Sequence, residues 1–335
     1  MLRGFIACCV AVIGFLVARP ATAADSKRPN VVWIFVEDMN GWYGCYGDDT
    51  VPTPHLDALA NRGLRFDRAY MPAGVCSATR SAIALGAMQT SLGVHNHRSS
   101  RKRVPEEINL LPQGVKTVYE MMRASGYFVT TQGANKNDFN FIWDSKKLYD
   151  VDRSSRSVGE PLWRNRPQDK PFFAQIQLRG GKNSGRYQGA AASKPSASPA
   201  KNAPKKKKGA KKKAPPGPFT DPSQMKVAPY YPDHPVMRRE YAHHYDTIRQ
   251  TDDEVGQIVA ALKKDGLLEN TVVFFWTDHG LRLPRHKQWL YEGGVRVPLV
   301  IAGPGVAKGK SRDDLVNGID ITAATLALAG AKRGT

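Results

Sequence analysis

The chain has 335 residues, of which 41% are hydrophobic and 24% are charged, and this composition excludes a wholly disordered protein. Its four cysteines, Cys8, Cys9, Cys45 and Cys76, are too few for a disulfide scaffold. The 49 lysines and arginines outnumber the 30 acidic residues and give a net charge of +19. Such a charge favours nucleic-acid binding only if it lies on a folded surface, so its distribution has to be considered.

The first 23 residues are predicted to be a secretory signal peptide. Arg3 precedes an apolar run over residues 5–17, and residues 21–23 (Ala-Thr-Ala) supply a small-residue cleavage pattern. The run is too short for a comfortable membrane span, although a retained anchor is the alternative. We therefore expect an exported protein, periplasmic or secreted, with no transmembrane anchor after cleavage. Cleavage would leave Cys45 and Cys76, which could pair in an oxidising compartment.

Strand-like and helix-like patterns alternate along most of the chain. Continuous apolar runs, typical of strands buried on both faces, occur at residues 31–36, 127–131, 172–177, 272–277 and 297–301. Helical patterns occur around residues 54–62, 78–86, 115–125 and 239–264. This alternation predicts an α/β fold with a mostly parallel, mixed sheet sandwiched by helices.

Residues 191–218 interrupt this alternation. The stretch consists mainly of Ala, Pro, Ser and Lys, with nine lysines and no acidic residue, and it cannot offset the entropy cost of ordering. We expect a disordered insertion in a single domain formed by residues 24–190 and 219–335. Without these lysines and the two arginines of the leader, the net charge falls from +19 to +8. Nucleic-acid binding therefore loses most of its support, and the run is better explained as a solvated tether, or as one that touches an acidic polymer or cell surface.

Two of the predicted strands end in pairs of metal-ligating side chains. Glu37-Asp38 follows the first run, and Asp278-His279 follows the run at 272–277. Because chemistry in open α/β sheets collects at the carboxyl ends of the strands, the two pairs are candidate ligands for Ca²⁺ or Mg²⁺. Either pair alone is better explained as a polar strand terminus, and the two explanations become equally good only because both pairs occur in one chain.

A third segment places a thiol and a guanidinium four residues apart at the start of a predicted helix. Cys76 and Arg80 then share one helix face, where free backbone N–H groups attract an anion. This arrangement indicates a candidate nucleophile beside an anion site. The alternative is a buried half-cystine beside an arginine that faces the solvent.

The stretch Cys76-Ser77-Ala78-Thr79-Arg80 fits the signature Cys (or Ser)-x-Pro/Ala-x-Arg, and the chain resembles the type I sulfatases. Further similar segments lie at residues 28–38, 43–47, 53–60, 277–280 and 287–298, so the resemblance covers most of residues 28–330. It implies an alkaline-phosphatase-like fold. Residues 320–330 are similar to the last helix of the family's main domain, so the usual small C-terminal subdomain is expected to be missing.

The resemblance also implies a mechanism. In this family a formylglycine-generating or sulfatase-maturating enzyme converts the signature cysteine to formylglycine, and one hydroxyl of the hydrated aldehyde attacks sulfur. A divalent metal lowers the pKa of that hydroxyl, and basic side chains bind the remaining charge of the sulfate. The chain is thus expected to be a sulfatase acting on sulfate esters such as sulfated sugars. By position, the resemblance assigns metal binding to Glu37, Asp38, Asp278, His279 and the modified Cys76, aldehyde orientation to Arg80, and sulfate binding to Lys136 and Lys287.

The sequence departs from the family pattern at three places. Glu37 stands where an aspartate is usual, Asp138 takes the place of a histidine, and residues 177–182 replace a His-rich loop. Asp138 is therefore a candidate substrate-binding residue, and so are three histidines: His95, His97 and His286. For each histidine, the favoured alternative is a partly exposed loop residue without a role in the site. Two other functions stay open, a phosphate-ester hydrolase of the same superfamily and a degenerate sulfatase that only binds sulfated polymer. Cys76 argues against the phosphatase, because phosphatases of this fold use Ser or Thr. The modification expected at Cys76 likewise disfavours a Cys45–Cys76 disulfide.

Overall fold

The computed structural model describes residues 28–97, 110–133, 136–154, 159–168, 170–183 and 219–331. The predicted signal peptide at 1–23 and the predicted insertion at 191–218 lie outside these ranges, and both stay predictions. Within the described ranges, no helix combines the length and the apolar character that a membrane crossing requires.

An eight-stranded mixed sheet forms the centre of the fold, with the strand order β4-β3-β5-β1-β6-β7-β2-β8. Its strands are β1 (Asn30–Val36), β2 (Gly63–Tyr70), β3 (Phe128–Gly133), β4 (Val151–Ser154), β5 (Phe172–Leu178), β6 (Thr271–Thr277), β7 (Arg296–Ala302) and β8 (Lys310–Asn317). The run from β4 to β6 is parallel, β7 is antiparallel to both of its neighbours, and β2 and β8 are parallel. The predicted α/β class is confirmed: four of the five predicted apolar runs lie within strands, and the run at 127–131 begins one residue before β3.

Helices cover both faces of the sheet. They are α1 (Pro54–Asn61), α2 (Cys76–Leu85), α3 (Val118–Ala124), α4 (Ser145–Leu148), α5 (Pro235–Lys264), α6 (Glu292–Val295) and α7 (Gly318–Leu328). The longest helix, α5, begins four residues before the predicted pattern, because the His234 side chain accepts a hydrogen bond from Val236 N and Pro235 occupies the first turn.

Two apolar clusters lie on opposite faces of the sheet because successive strand residues alternate in direction. In β1, Val32 and Ile34 pack with residues of α1 and α5, whereas Val31 and Trp33 pack with residues of α2, α3 and α7. All seven residues of β1 are buried. Full burial of each large aliphatic side chain contributes about 1.5–3 kcal/mol, so β1 anchors the strand end that carries the first acidic pair.

Three loops and the start of α2 meet at one edge of the sheet. In the parallel register, Val36 at the end of β1 lies opposite Thr277 of β6 on one side and Leu178 of β5 on the other. The residues that follow these three strands are therefore level with one another. Helix α2 begins at this edge, two residues earlier than its sequence pattern predicts, and so brings Cys76 to the strand ends.

Candidate active site

The acidic pairs predicted from the strand ends converge. Asp38 N donates a hydrogen bond to Oδ1 of Asp278 at 3.1 Å, and the Asp38 carboxylate Oδ1 lies 3.3 Å from Nε2 of His279. Asp38 has a φ of 53°, a conformation that costs a non-glycine residue energy and concentrates at functional sites. All four side chains, including that of Glu37, are buried. Carboxylates thus face an imidazole across the boundary between two parallel strands.

Cys76, the first residue of α2, points into this group. Its buried Sγ lies 3.0 Å from Nε2 of His279. The ligand atoms of Cys76, Asp38, Asp278 and His279 all lie within 4.8 Å of one another. Burial and Asp278 raise the pKa of the thiol, but His279 and Lys182 outweigh them, so the pKa lies below its usual value. Neither Cys76 nor Cys45 takes part in a disulfide in the structure.

Arg80 joins the two strand ends from beneath. Its Nη2 lies 3.3 Å from Oε1 of Glu37 and 3.1 Å from Oδ2 of Asp278, and its guanidinium carbon sits 3.9 Å from the centroid of the Phe35 ring. Burial lowers the pKa of Arg80, but the two carboxylates raise it by a larger amount, so the pKa lies above its usual value. Arg80 is therefore a permanent buried counterion whose removal would leave two carboxylates with less compensation.

Both lysines predicted to bind the anion reach the same place. Lys136 Nζ lies 3.2 Å from Oε2 of Glu37, 3.1 Å from Oδ2 of Asp138 and 3.5 Å from Sγ of Cys76. Lys287 Nζ lies 3.0 and 3.1 Å from the two carboxylate oxygens of Asp38. Asp138 is thus a partner of Lys136 at the rim of the cluster.

A third lysine, Lys182, was not predicted as a site residue. It ends the 3₁₀ turn Gly180–Lys182 after β5, and its Nζ pairs with Glu37, lies 3.3 Å from Oδ1 of Asp38 and lies 3.6 Å from Sγ of Cys76. The turn approaches the first acidic loop so closely that a Cβ at Gly181 would lie 2.1 Å from the carbonyl oxygen of Asp38. Burial lowers the pKa of Lys182, but Asp38 and Glu37 raise it more, so the ammonium form is favoured.

The three candidate histidines lie elsewhere. His286 is buried, with Nδ1 2.9 Å from Oδ1 of Asn40 and Nε2 3.0 Å from the hydroxyl of Tyr230. Burial lowers its pKa, so His286 is a neutral brace between two loops. His95 and His97 are exposed in the segment that follows α2, outside the buried cluster. The polar surroundings of Cys76 are instead supplied by His279 and by the lysines.

The donor set fits a divalent cation that prefers oxygen. Glu37, Asp38 and Asp278 supply three buried carboxylates, and Oε1 of Glu37 accepts no hydrogen bond although Arg80 is nearby. Ca²⁺ and Mg²⁺ bind such oxygens, whereas the unmodified sulfur of Cys76 is a poor ligand for them. Glu37 is not a member of the group of four mutually close ligand residues, which are Asp38, Cys76, Asp278 and His279. The site therefore suits a hard cation best when position 76 offers oxygen.

Comparison with known proteins agrees with this geometry. A model of the sulfatase family matches residues 29–331. An ulvan-active sulfatase from Formosa agariphila is 29% identical over 340 residues, covering 91% of this chain and 53% of that protein. The human N-sulphoglucosamine sulphohydrolase is 26% identical over 344 residues, covering 94% of this chain and 62% of that protein. The chain thus spans little more than half the length of these relatives.

The fold also matches solved structures. The phosphonate monoester hydrolase of Agrobacterium radiobacter superposes with a TM-score of 0.66 at 17% sequence identity, over 91% of this chain and 74% of that one. At this identity the likeness concerns the fold alone. The fold alone therefore does not identify the reaction, which depends on the residues of the site.

Proposed function

The chain belongs to the sulfatase family, and from this premise we propose that it hydrolyses sulfate esters of a carbohydrate. The observation that carries the proposal is the position of Cys76, the signature cysteine of the family. It begins α2, is buried, and lies within 3.6 Å of one imidazole and two lysine ammonium groups. A tetrahedral anion attached at this position would meet cationic N–H donors in a nearly closed site.

We propose that Cys76 is converted to formylglycine by a maturating enzyme during export, and that the mature protein is periplasmic or secreted. Formylglycine supplies, as its hydrate, an oxygen nucleophile and a second hydroxyl that allows sulfate to leave. Glu37, Asp38, Asp278 and His279, together with the converted side chain, would hold Ca²⁺ or Mg²⁺. When bound, the cation lowers the pKa of the nucleophilic hydroxyl and neutralises charge on the sulfate oxygens.

The protein's own cations perform the remaining work. Lys136 and Lys182 lie 3.5 and 3.6 Å from Sγ of Cys76, and Lys287 approaches from the opposite loop. Because they are fixed by ion pairs before substrate arrives, they can stabilise charge on sulfate and on the leaving oxygen without reorganisation. Arg80, held between two carboxylates, keeps Glu37 and Asp278 in place beneath position 76.

Mass spectrometry and parallel ester assays test the proposal. The full chain is produced in a host that contains the maturating enzyme, and the tryptic peptide over residues 69–80 is examined for an aldehyde at position 76. Turnover of sulfate and phosphate monoesters is then compared for the wild type, Cys76→Ala and the control Cys45→Ala. Cys45 N donates a hydrogen bond to Oδ1 of Asp57 in α1, and Cys45 is not a member of the group of Asp38, Cys76, Asp278 and His279, so its variant should retain activity.

Sulfate turnover that requires Cys76 and accompanies the aldehyde would support the proposal. Turnover of phosphate without sulfate would favour the phosphatase alternative. A fully converted protein that binds sulfated polymer without turning over any ester would identify a degenerate, purely binding sulfatase. An unmodified thiol in active protein would overturn the proposed nucleophile.

A further inference from the structure

Four planar side chains form a stack on the outer surface beside the candidate site. The rings of Trp289 and Tyr291 are parallel within 8°, with centroids 5.8 Å apart. The guanidinium carbon of Arg285 lies 4.9 Å from the centroid of Tyr291 and 5.0 Å from that of Tyr230. Three of the four are large aromatic residues between 43% and 49% exposed. We call this group, Tyr230, Arg285, Tyr291 and Trp289, the aromatic stack.

The aromatic stack adjoins the loop that leads into the signature segment. Gln288 N donates a hydrogen bond to the carbonyl oxygen of Gly74 at 2.6 Å, and Gly74 lies two residues before Cys76. A Cβ at Gly74 would lie 2.7 Å from the carbonyl oxygen of Trp289, so the two loops are in close contact. Lys287, two residues from Trp289, reaches Asp38 in the site. One loop therefore presents a lysine inward and an indole outward.

This loop has a preformed conformation. Arg285 and Gln288 have φ values of 66° and 71°, which non-glycine residues adopt only when the surrounding structure enforces them. The buried His286 between them is held by the Tyr230 hydroxyl at 3.0 Å and by Asn40 at 2.9 Å. Binding of a ligand on the aromatic stack would consequently cost little conformational entropy in this loop.

We propose that the aromatic stack is a glycan subsite, which holds a neighbouring sugar ring of an anionic oligosaccharide while the sulfated ring enters the site. The inference rests on the proposed function for the orientation of the oligosaccharide, with its sulfated ring in the site. The chemistry of the ligand follows from the surface itself. Flat ring faces pack against the C–H face of a pyranose, and sites lined by aromatic side chains with a few placed polar groups are typical of small organic ligands. The guanidinium of Arg285 adds positive charge, which matches the sulfate or carboxylate groups of an acidic polysaccharide.

Binding to catalytically inactive protein tests this inference independently of turnover. The full chain carrying Cys76→Ala is titrated calorimetrically with a size-defined dextran sulfate oligosaccharide, and Trp289→Ala is added in the same background. Removing the indole of Trp289, which ends the aromatic stack, should raise Kd about tenfold, whereas Trp289→Phe, which keeps a flat ring, should retain most of the affinity. Arg285→Met should raise Kd and weaken its dependence on salt.

Phe219→Ala is the matched control. Phe219 resembles Trp289 because its ring is 50% exposed and lies 5.5 Å from an arginine guanidinium carbon, that of Arg249. It differs in position, because Phe219 contacts α5 and is not part of the aromatic stack. Its Kd should equal that of the parent, and the lysine run at 191–218 is common to every variant. An unchanged Kd for Trp289→Ala, or an equal loss for Phe219→Ala, would overturn the inference. Binding of the same variants to phosphatidylglycerol vesicles is measured in parallel. If Trp289→Ala loses vesicle binding but keeps its oligosaccharide binding, the aromatic stack binds a membrane surface and the inference is overturned. Because no turnover is measured, a negative sulfatase assay would leave this result unaffected.

Discussion

Replacing Lys182 by methionine should destabilise the protein without divalent cations and strengthen its binding of Ca²⁺. The substitution keeps the length and the apolar stem of the side chain but removes its charge. In the structure Nζ pairs with Glu37 and lies 3.3 Å from a carboxylate oxygen of Asp38. Both carboxylate side chains are at most 3% exposed, so water cannot replace the lost partner.

The size of the effect follows from these contacts. Two unit charges 3.3 Å apart attract by about 5 kcal/mol at an effective dielectric constant of about 20, and breaking a buried pair costs about 3–5 kcal/mol. Glu37 keeps Arg80 and Lys136, Asp38 keeps Lys287, and 27% of the Lys182 side chain is exposed. We therefore expect a loss of about 2 kcal/mol in the free energy of unfolding, or about 4 °C in the melting temperature.

The same substitution removes a positive charge that competes with a metal ion for Asp38. The Kd for Ca²⁺ should fall about tenfold, which corresponds to about 1.4 kcal/mol and is well below the gross attraction at this distance. Scanning calorimetry in chelator and then in increasing CaCl₂ measures both effects, because a ligand that binds only the native state stabilises it by RT ln(1 + [ligand]/Kd). Lys147→Met, an exposed residue of α4, is the control. An unchanged melting temperature in chelator with an unchanged calcium response would refute the role of Lys182 in the charge cluster.

Two further predictions concern the metal and the pH dependence. Asp38→Asn and Asp278→Asn should each lose the divalent cation on dialysis. Asp67→Asn is the control and should retain the cation, because Asp67 pairs with Arg65 on β2. Full metal occupancy in both site variants, measured by metal analysis, would contradict the ligand assignment. Glu254→Gln should increasingly stabilise the protein from about pH 4.5 to about pH 7, by at most about 3 kcal/mol. Burial raises the pKa of Glu254 from 4.5 to about 7, so the native state retains a proton that the unfolded chain releases, and the wild type loses stability as pH rises through this window. A melting-temperature difference independent of pH would contradict this account.

The sheet could be predicted where its strands are buried on both faces. β1 and β6 are continuous apolar runs because helices cover them on each side. β2 and β8 were missed because they carry Arg and Asp side chains, and β8 is largely exposed at the edge of the sheet. Their extended conformation depends on pairing with β7 and with each other, which a local pattern does not report.

The site shows the same division between local and distant information. Glu37, Asp38, Asp278 and His279 were predicted because they follow recognisable strands. Lys182 follows two glycines in a loop, and it reaches the site only because β5 is the parallel neighbour of β1. The pairing register of those two strands was the missing signal. The surroundings of His286 could not be predicted from the sequence either, because its partners Asn40 and Tyr230 lie 246 and 56 residues away and engage both ring nitrogens.

Two departures from the family pattern prove to be one structural feature. Glu37 stands where aspartate is usual, and Lys182 lies in the loop where histidines are usual, and the two side chains form an ion pair. The longer glutamate reaches outward to Lys136 and Lys182, while Asp38 and Asp278 stay beside Cys76. Four fixed protein cations thus compensate the buried carboxylates: Arg80, Lys136, Lys182 and Lys287. The buried carboxylates therefore have partners among the chain's own side chains and do not stand as uncompensated buried charges.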